Sequence, residues 1–155
     1  MSTTQPIRKK EDIANLKNYY LQRRQFRNYT LVTVGLNIPL RISDILKLRW
    51  CDVFDFTNCR LKQHITISEQ KTGKNNSFYI NRNAAEALTY WMNLSSDSSN
   101  VSPDSYIFEA FPQHNKPLSR ISAYLIIKKA ADALGLEHIS CHSLRKTFGY
   151  HAWKS

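Results

Sequence analysis

The sequence contains only four glycines among 155 residues: Gly35, Gly73, Gly135 and Gly149. None of them stands in a GxGxxG or GxxxxGK[ST] pattern, the glycine-rich loops that bind dinucleotides and nucleotide phosphates. The chain also lacks a GxSxG nucleophile elbow, and it shows no paired carboxylates of the kind that glycosidases use. The sequence signatures of nucleotide-binding enzymes, α/β-hydrolases and glycosidases are therefore missing.

Long hydrophobic runs and cysteine pairs are also absent. No apolar stretch is long enough to span a bilayer, and the N-terminal MSTTQPIRKKEDI has no apolar signal segment. The three cysteines, Cys51, Cys59 and Cys141, form no CxxC pair, which suits the reduced thiols of a cytosolic protein. With 42% hydrophobic residues, the chain is long enough to bury the core of one globular domain. We therefore expect a cytoplasmic protein with no membrane partner.

One local cluster has the spacing of metal ligands: His138, Cys141 and His142. A structural zinc site takes four ligands, and no second cluster in the sequence supplies the remainder. We therefore predict no metal and no cofactor.

Positive charge is the strongest global signal. Twenty-two Lys and Arg residues against twelve Asp and Glu give a net charge of +10. Residues 1–27 hold seven basic residues and two acidic ones, so half of the excess lies in the first sixth of the chain. Such a balance favours a polyanionic partner, most commonly nucleic acid, although a basic surface can also serve solubility alone.

Hydrophobic periodicity predicts a mainly helical protein. Apolar residues recur at helical spacing in five stretches of the chain. Pro39 separates the second of them from the apolar repeat that follows at 41–50. Phe148 and Trp153 are expected to pack within the domain from the final helix. The stretches are residues 11–24, 28–40, 81–94, 119–136, with Ser119 as N-cap, and a last one from Cys141 or His142 onward.

Between residues 52 and 80 the period changes to that of β-strands. Ile65 and Ile67 alternate with polar residues, as do Phe78 and Ile80, and KTGKNN between the two runs predicts a hairpin turn. A short strand at residues 53–56 would complete a small three-stranded antiparallel β-sheet, and residues 106–111 predict a further short strand. The predicted fold class is therefore mainly α with this small sheet.

A set of cations remains as candidate chemistry. Arg41 stands at a helix start, Lys71 stands in the hairpin turn, and His142 and Arg145 are three residues apart on one helix face. Two arginines can clamp a phosphate, while lysine and histidine can transfer protons. Each residue taken alone also fits a plain surface role, and spacing does not show that the four converge.

Three stretches resemble motifs of the tyrosine recombinases, also called phage integrases. IPLRISDILKLRWCDV is similar to their first arginine motif, near TGLRxSELLxLxWxDI. ITISEQKTGKNNSFYIN resembles their catalytic β-hairpin, and CHSLRKTFGYH resembles their HxLRHTFAT box. The three occur in the family's order and span about residue 7 to the C-terminus. The resemblance implies a mainly helical catalytic domain, with a small antiparallel sheet, that packs around double-stranded DNA.

The resemblance also implies roles for individual residues. Arg41 and Arg145 match the two phosphate-binding arginines, and Lys71 matches the lysine that protonates the leaving 5′-hydroxyl. His142 matches the histidine that assists proton transfer at the nucleophile. Asp44 matches an acidic position that supports the first arginine. Lys146 replaces a frequent histidine without threatening the assignment.

Two departures from the family pattern stand out. Ile38-Pro39 replaces the usual Thr-Gly, which leaves the aim of Arg41 open because proline fixes a backbone angle. Only ten residues follow Arg145, whereas the family's later His or Trp and its nucleophilic tyrosine lie further along. His151, Trp153 and Tyr150 are too close to Arg145 to match them.

The sequence therefore predicts part of an integrase, with residues 1–10 as a basic lead-in left from a linker and 11–155 as a partial catalytic domain. We expect it to bind DNA and cradle the scissile phosphate without cleaving the strand, with other recombinase subunits as further partners. The full-length parent would cleave and rejoin DNA through a 3′-phosphotyrosyl intermediate. Two alternatives stay open: a non-enzymatic DNA-binding or partner-binding protein derived from a recombinase, and a nuclease that uses water.

Overall fold

The computed structural model describes residues 4–68, 72–98, 101–110 and 116–154, and the chain folds mainly into helices with short antiparallel strands. None of the helices in these ranges is long and apolar enough to cross a membrane. In chain order the elements are α1 (Lys10–Gln22), α2 (Phe26–Asn37), α3 (Ile42–Leu46), α4 (Trp50–Val53), β1 (Phe54–Asp55), β2 (Arg60–Leu61), β3 (His64–Ser68), β4 (Asn75–Tyr79), α5 (Arg82–Ser98), α6 (Arg120–Ala133) and α7 (Cys141–Lys154).

Helix α2 is the centre of the fold. Every residue from Thr30 to Leu36 is buried, as expected for a helix surrounded by other elements on all sides. Leu31 and Val34 belong to a core shared with α3, α4, α5 and the hairpin strand β3. Val32 and Leu36 belong to a second core shared with α1, α6 and α7. The last residues of α2 therefore reach the junction of the two cores.

The five long helices confirm the helical periodicity read from the sequence. Ser119 caps α6 as predicted, since its hydroxyl accepts a hydrogen bond from the backbone N–H of Ser122 at 3.0 Å. Gly135 follows that helix at φ +70°, a left-handed conformation that glycine adopts without cost. Helix α5 continues through Ser98, four residues beyond the helical stretch predicted at 81–94.

The apolar repeat at residues 41–50 forms two short helices rather than one. Between them, Ile107 N–H donates to Leu48 O at 3.1 Å and Trp50 N–H donates to Ser105 O at 2.9 Å. These contacts hold Arg49, which is extended at φ −107° and ψ 160°, beside Tyr106. Helical spacing in the sequence does not reveal that these backbone bonds replace helical ones, because the partner residues lie more than fifty positions away.

The strands form two small antiparallel sheets. The predicted hairpin is present, with Ile65 opposite Phe78 and Ile67 opposite Asn76. Strand β1 pairs with β2 instead of joining the hairpin, because Asp55 accepts hydrogen bonds from the N–H groups of Thr57 and Asn58 and folds the chain back locally. Tyr106 and Glu109 form isolated bridges where a strand was predicted, and Phe111 lies outside the described residues. The antiparallel character is confirmed, while the third strand pairs differently.

One expectation about the last helix also differs from the structure. The side chain of Trp153 is 82% exposed, so it does not pack in the domain, whereas Phe148 is half-buried. At the N-terminus, Ile7 is fully buried in the core that includes α1 and α7. The residues predicted as a linker remnant thus contribute a core side chain.

Helices α2 and α7 meet at a glycine. A Cβ placed on Gly35 would lie 2.6 Å from Cδ1 and 3.1 Å from Cβ of Leu144, closer than side-chain atoms normally approach. The other helical glycine of this pair of helices, Gly149, has no atom within 4 Å of the corresponding position.

We expect Gly35→Ala to lower the free energy of unfolding by about 1–3 kcal/mol, because Leu144 and α7 must move to admit the methyl group. Gly149→Ala should raise it by about 0.5–1 kcal/mol, since alanine favours the helix where space is free. Urea unfolding of the two variants measures the difference. A Gly35→Ala protein as stable as Gly149→Ala would contradict the tight contact.

Candidate phosphate-binding site

Arg41 is held where the chain passes from α2 to α3. It is the N-cap of α3, in an extended conformation, and its carbonyl oxygen accepts the N–H groups of Asp44 and Ile45, both at 3.0 Å. Its two neighbours, Leu40 and Ile42, are buried in the core, whereas Arg41 itself is exposed. The apolar neighbours therefore fix the backbone and direct the guanidinium side chain to the surface.

Arg145 approaches the same place from α7. Ser143, Leu144 and Thr147 are buried, while His142 and Arg145 are exposed one helical turn apart. Arg145 Nε donates a hydrogen bond to Pro39 O at 3.2 Å, across 106 positions of sequence. This bond joins the second arginine to the backbone two residues before the first.

The two arginines line one cavity of 740 Å³. Lys47, which follows α3, lines it too, so the described wall carries three cations. Asp44 and Asp52 supply two carboxylates, and Asp52 accepts the backbone N–H of Arg49 at 2.8 Å. Positive charge exceeds negative charge in the described wall, which suits an anionic ligand.

Strands β3 and β4 form the opposite wall. Thr66, Ser68 and Asn76 contribute polar groups to the cavity, and Ile67 and Phe78 contribute apolar ones. Lys71 lies between these strands in the sequence and is outside the described residues. The structure thus brings the strands on either side of the predicted lysine to the cavity, and the position of the lysine itself stays a prediction.

The remaining predicted residues have different positions. Asp44 lines the cavity with Arg41, and no ion pair joins the two among the described side chains. His142 lies on the exposed side of α7, one turn before Arg145, and is not among the residues that line the cavity. Its proposed role therefore needs a ligand that extends beyond the cavity along α7.

The unusual Ile38-Pro39 pair supplies a backbone carbonyl to the candidate site. Ile38 is extended, at φ −131° and ψ 124°, and fully buried. The Pro39 carbonyl is the acceptor for Arg145, so this segment connects the two arginines. Proline lacks an N–H but keeps its carbonyl, and the carbonyl is the group used here.

Sequence reasoning did not identify several residues of the cavity. Lys47 stands six residues after Arg41, and Thr66 and Ser68 alternate along β3. The alternation of β3 was visible in the sequence and placed these two side chains on one face. Nothing in the sequence said that Lys47 shares a cavity with residues of the hairpin and of α7.

A metal site is not apparent in the described part of the chain. No group of three or more His, Cys, Asp or Glu side chains there could hold a metal ion. Cys51, Cys59 and Cys141 are free thiols, and burial raises the pKa of the Cys141 thiol. Besides the carboxylates of Asp44 and Asp52, the cavity residues carry guanidinium, ammonium, hydroxyl and amide groups, which can bind phosphate oxygens by charge and hydrogen bonds.

The sequence profile of the phage integrase family matches residues 9–155. The chain is 38% identical over 154 residues to the probable integrase/recombinase YoeC of Bacillus subtilis (strain 168), covering 99% of this chain and 77% of YoeC.

Solved recombinase structures share the fold. The crystal structure of XerA recombinase matches with a TM-score of 0.75 at 17% identity, over 98% of this chain and 52% of XerA. The XerH site-specific recombinase, solved bound to difH substrate, matches at 0.70 with 16% identity, over 98% and 44%. The Tn1549 transposon integrase, in complex with circular intermediate DNA, matches at 0.65 with 15% identity, over 96% and 52%. The chain spans about half the length of these structures.

We expect Arg41→Ala and Arg145→Ala each to weaken the binding of inorganic phosphate by about tenfold or more, since each removes a charge-assisted contact of about 1.5–3 kcal/mol. Both side chains are exposed, so unfolding midpoints should change little. Titration followed by NMR measures the affinity. Arg82→Ala is the matched control, because Arg82 is an exposed arginine of α5 paired only with Glu86 in the described structure. Equal affinities in all three variants would argue against the site.

Proposed function

The chain belongs to the phage integrase family, and from this we propose that it binds double-stranded DNA and holds the scissile phosphate between Arg41 and Arg145. A site-specific recombinase domain is what the family and the fold support. The full-length parent would cleave and rejoin DNA strands through a 3′-phosphotyrosyl intermediate.

One observation carries the proposal. Arg41 and Arg145 come from motifs at opposite ends of the sequence, yet they line one cavity and are joined through the Pro39 carbonyl. Two guanidinium groups that line one cavity can donate to different oxygens of one phosphate. As a phosphodiester is attacked, negative charge grows on those oxygens, so donors already in place stabilise the transition state more than the ground state.

The other predicted residues complete the proposed chemistry. Lys71 would protonate the 5′-hydroxyl as it leaves, and His142 would assist proton transfer at the attacking oxygen. Thr66, Ser68 and Asn76 on the hairpin wall would bind sugar or phosphate oxygens beside the reacting group. No step of this scheme needs a metal ion, because the cations of the chain supply the positive charge.

DNA as the partner is supported independently of the cavity. The net charge of +10 favours a polyanion. Two of the structural neighbours, the XerH recombinase and the Tn1549 integrase, were solved with DNA. A DNA partner also supports the cytoplasmic location inferred from the cysteines. Other recombinase subunits are further proposed partners, because recombination joins two DNA sites.

A second candidate function is occupation of DNA without strand cleavage. The observation that favours it concerns the eight tyrosines, all of which lie in the described ranges. None of them lines the cavity. Tyr150, the tyrosine nearest to Arg145 in sequence, is half-buried beside the guanidinium of Arg8 and the ammonium group of Lys154. The 155-residue chain thus holds no nucleophile of the required type against the phosphate site.

We expect the affinity for duplex DNA to fall steeply as salt rises. Each neutralised phosphate contributes a slope of about −0.9 in log K against log salt concentration, so several contacts give a slope of several units. Fluorescence anisotropy between low and physiological salt measures it. An affinity indifferent to salt would count against DNA as the partner.

We also expect this 155-residue chain to form no covalent complex with a nicked suicide duplex. Without a tyrosine at the phosphate, no phosphotyrosyl bond can form. Denaturing gel electrophoresis of labelled DNA gives the measurement, with the full-length relative YoeC as a comparison for the assay. A protein-linked DNA band that disappears in Tyr150→Phe would overturn the expectation, and metal-free nicking would favour hydrolysis by water.

A further inference from the structure

The segment Thr4–Lys10, called the strap below, is attached along α7 by its backbone. Ile7 N–H donates to Thr147 Oγ1 at 2.8 Å, and the Ile7 carbonyl lies 2.9 Å from His151 Nε2. Gln5 N–H donates to His138 O at 2.8 Å, just before the helix. Thr147 is buried and passes its own proton to Ser143 O at 2.6 Å, so the hydroxyl is fully used. Hydrogen bonds of the backbone therefore anchor the strap to the domain.

These contacts leave the cations of the strap in solvent. Ile7 is fully buried, whereas Arg8, Lys9 and Lys10 are all exposed. Arg8 donates to Gln5 Oε1 at 3.1 Å and its guanidinium lies 5.7 Å from the centre of the Tyr150 ring. No ion pair in the described structure joins the three cations to an acidic side chain. Their charge is thus available to a partner.

The position of these charges is unfavourable for the helix that they precede. Lys9 is the N-cap of α1 and makes no side-chain capping bond, and Lys10 is its first residue. Cations at the positive end of the helix dipole lower helix stability, and lysine is a poor N-cap. Helix stability therefore does not account for Lys9 and Lys10, whereas Glu11 and Asp12 in the first turn do suit the helix dipole.

The strap contacts the same helix, α7, that carries the cavity residue Arg145. On α7, His142, Arg145 and Lys146 are exposed at helical spacing. Lys146 Nζ donates to Thr4 O at 2.8 Å and to Thr4 Oγ1 at 2.9 Å. Thr4, the first residue of the strap, is therefore bonded to the residue that directly follows the cavity residue Arg145 in α7.

We propose that the strap binds backbone phosphates of the DNA next to the phosphate held by Arg41 and Arg145. The inference rests on the proposed function, because it assigns a second contact surface to the same duplex. Seven extended residues reach at most about 25 Å, which corresponds to about seven nucleotide steps along one strand. Contacts of this kind position the protein and are independent of base sequence.

The direct experiment compares two charge-matched double variants at the two ends of α1. Lys9→Gln/Lys10→Gln removes two charges from the strap, and Arg23→Gln/Arg24→Gln removes two exposed charges just beyond the other end, about 20 Å away. We expect the strap variant to lose about tenfold or more in affinity for a 30-base-pair duplex and to lower the salt slope by about two units. The control variant should change affinity by less than about threefold. Equal effects in the two variants would overturn the proposal.

A second pair of variants tests whether the attachment to α7 matters. Thr147→Val removes the hydroxyl that accepts Ile7 N–H, and Thr147→Ser retains it. We expect Thr147→Val to weaken duplex binding while inorganic phosphate binds the cavity as in the original chain, and Thr147→Ser to behave normally. Identical duplex affinities for both would show that the attachment is not needed, and that outcome also contradicts the proposal.

These outcomes separate the inference from the proposed function. If Arg41→Ala and Arg145→Ala leave phosphate and DNA binding unchanged, the function assigned to the cavity fails. If those variants weaken binding and Lys9→Gln/Lys10→Gln equals its control, the cavity assignment survives and the strap assignment alone fails.

Discussion

The close contact of α7 with α2 at Gly35 and Leu144 is the constraint on which the site depends. Because Gly35 has no side chain, Leu144 occupies the space beside α2 and α7 lies close to it. Helix α2 leads through Pro39 to Arg41, and Leu144 is the neighbour of Arg145. One packing contact thus sets the relation between two charged groups from opposite ends of the sequence, and the bond from Arg145 to Pro39 O completes it.

Repulsion between cations that share a cavity raises the free energy of the folded state, and other interactions of the fold must offset it. Arg41, Lys47 and Arg145 share one cavity, and each is next in sequence to a buried apolar residue. Burial of these neighbours, at about 1.5–3 kcal/mol for each large side chain, fixes the backbone that carries the cations. The backbone positions of these cations are therefore set before any ligand binds, which is a form of preorganisation that the proposed phosphate site would use.

Helix α7 also connects the cavity with the N-terminal strap. Its buried residues Ser143, Leu144 and Thr147 face the core, and Thr147 also holds the strap through Ile7. Its exposed residues form a basic surface that runs from the cavity to Lys146. The exposed residues of α7 thus carry the proposed phosphate site, and its buried residues pack in the domain core.

Local patterns predicted much of the fold, and long-range contacts account for the differences. The periodicity of α1, α2, α5, α6 and α7 was sufficient because each buries one or more apolar faces. The break at residues 48–50 was not predictable, since backbone bonds to residues 105–107 interrupt the helix. The exposure of Trp153 was also missed, because the pattern of a helix does not say where its neighbours end.

The sequence by itself determined which chemical groups are present and in what order: two arginines, a hairpin lysine and a histidine, with the charge that suits a phosphate polymer. Only the tertiary structure decided that Arg41 and Arg145 line the same cavity, that Lys47 joins them and that the strap lies along α7. The physical reason is that convergence depends on the packing of buried faces from distant segments, which residue types and their spacing along the chain do not encode in any local form.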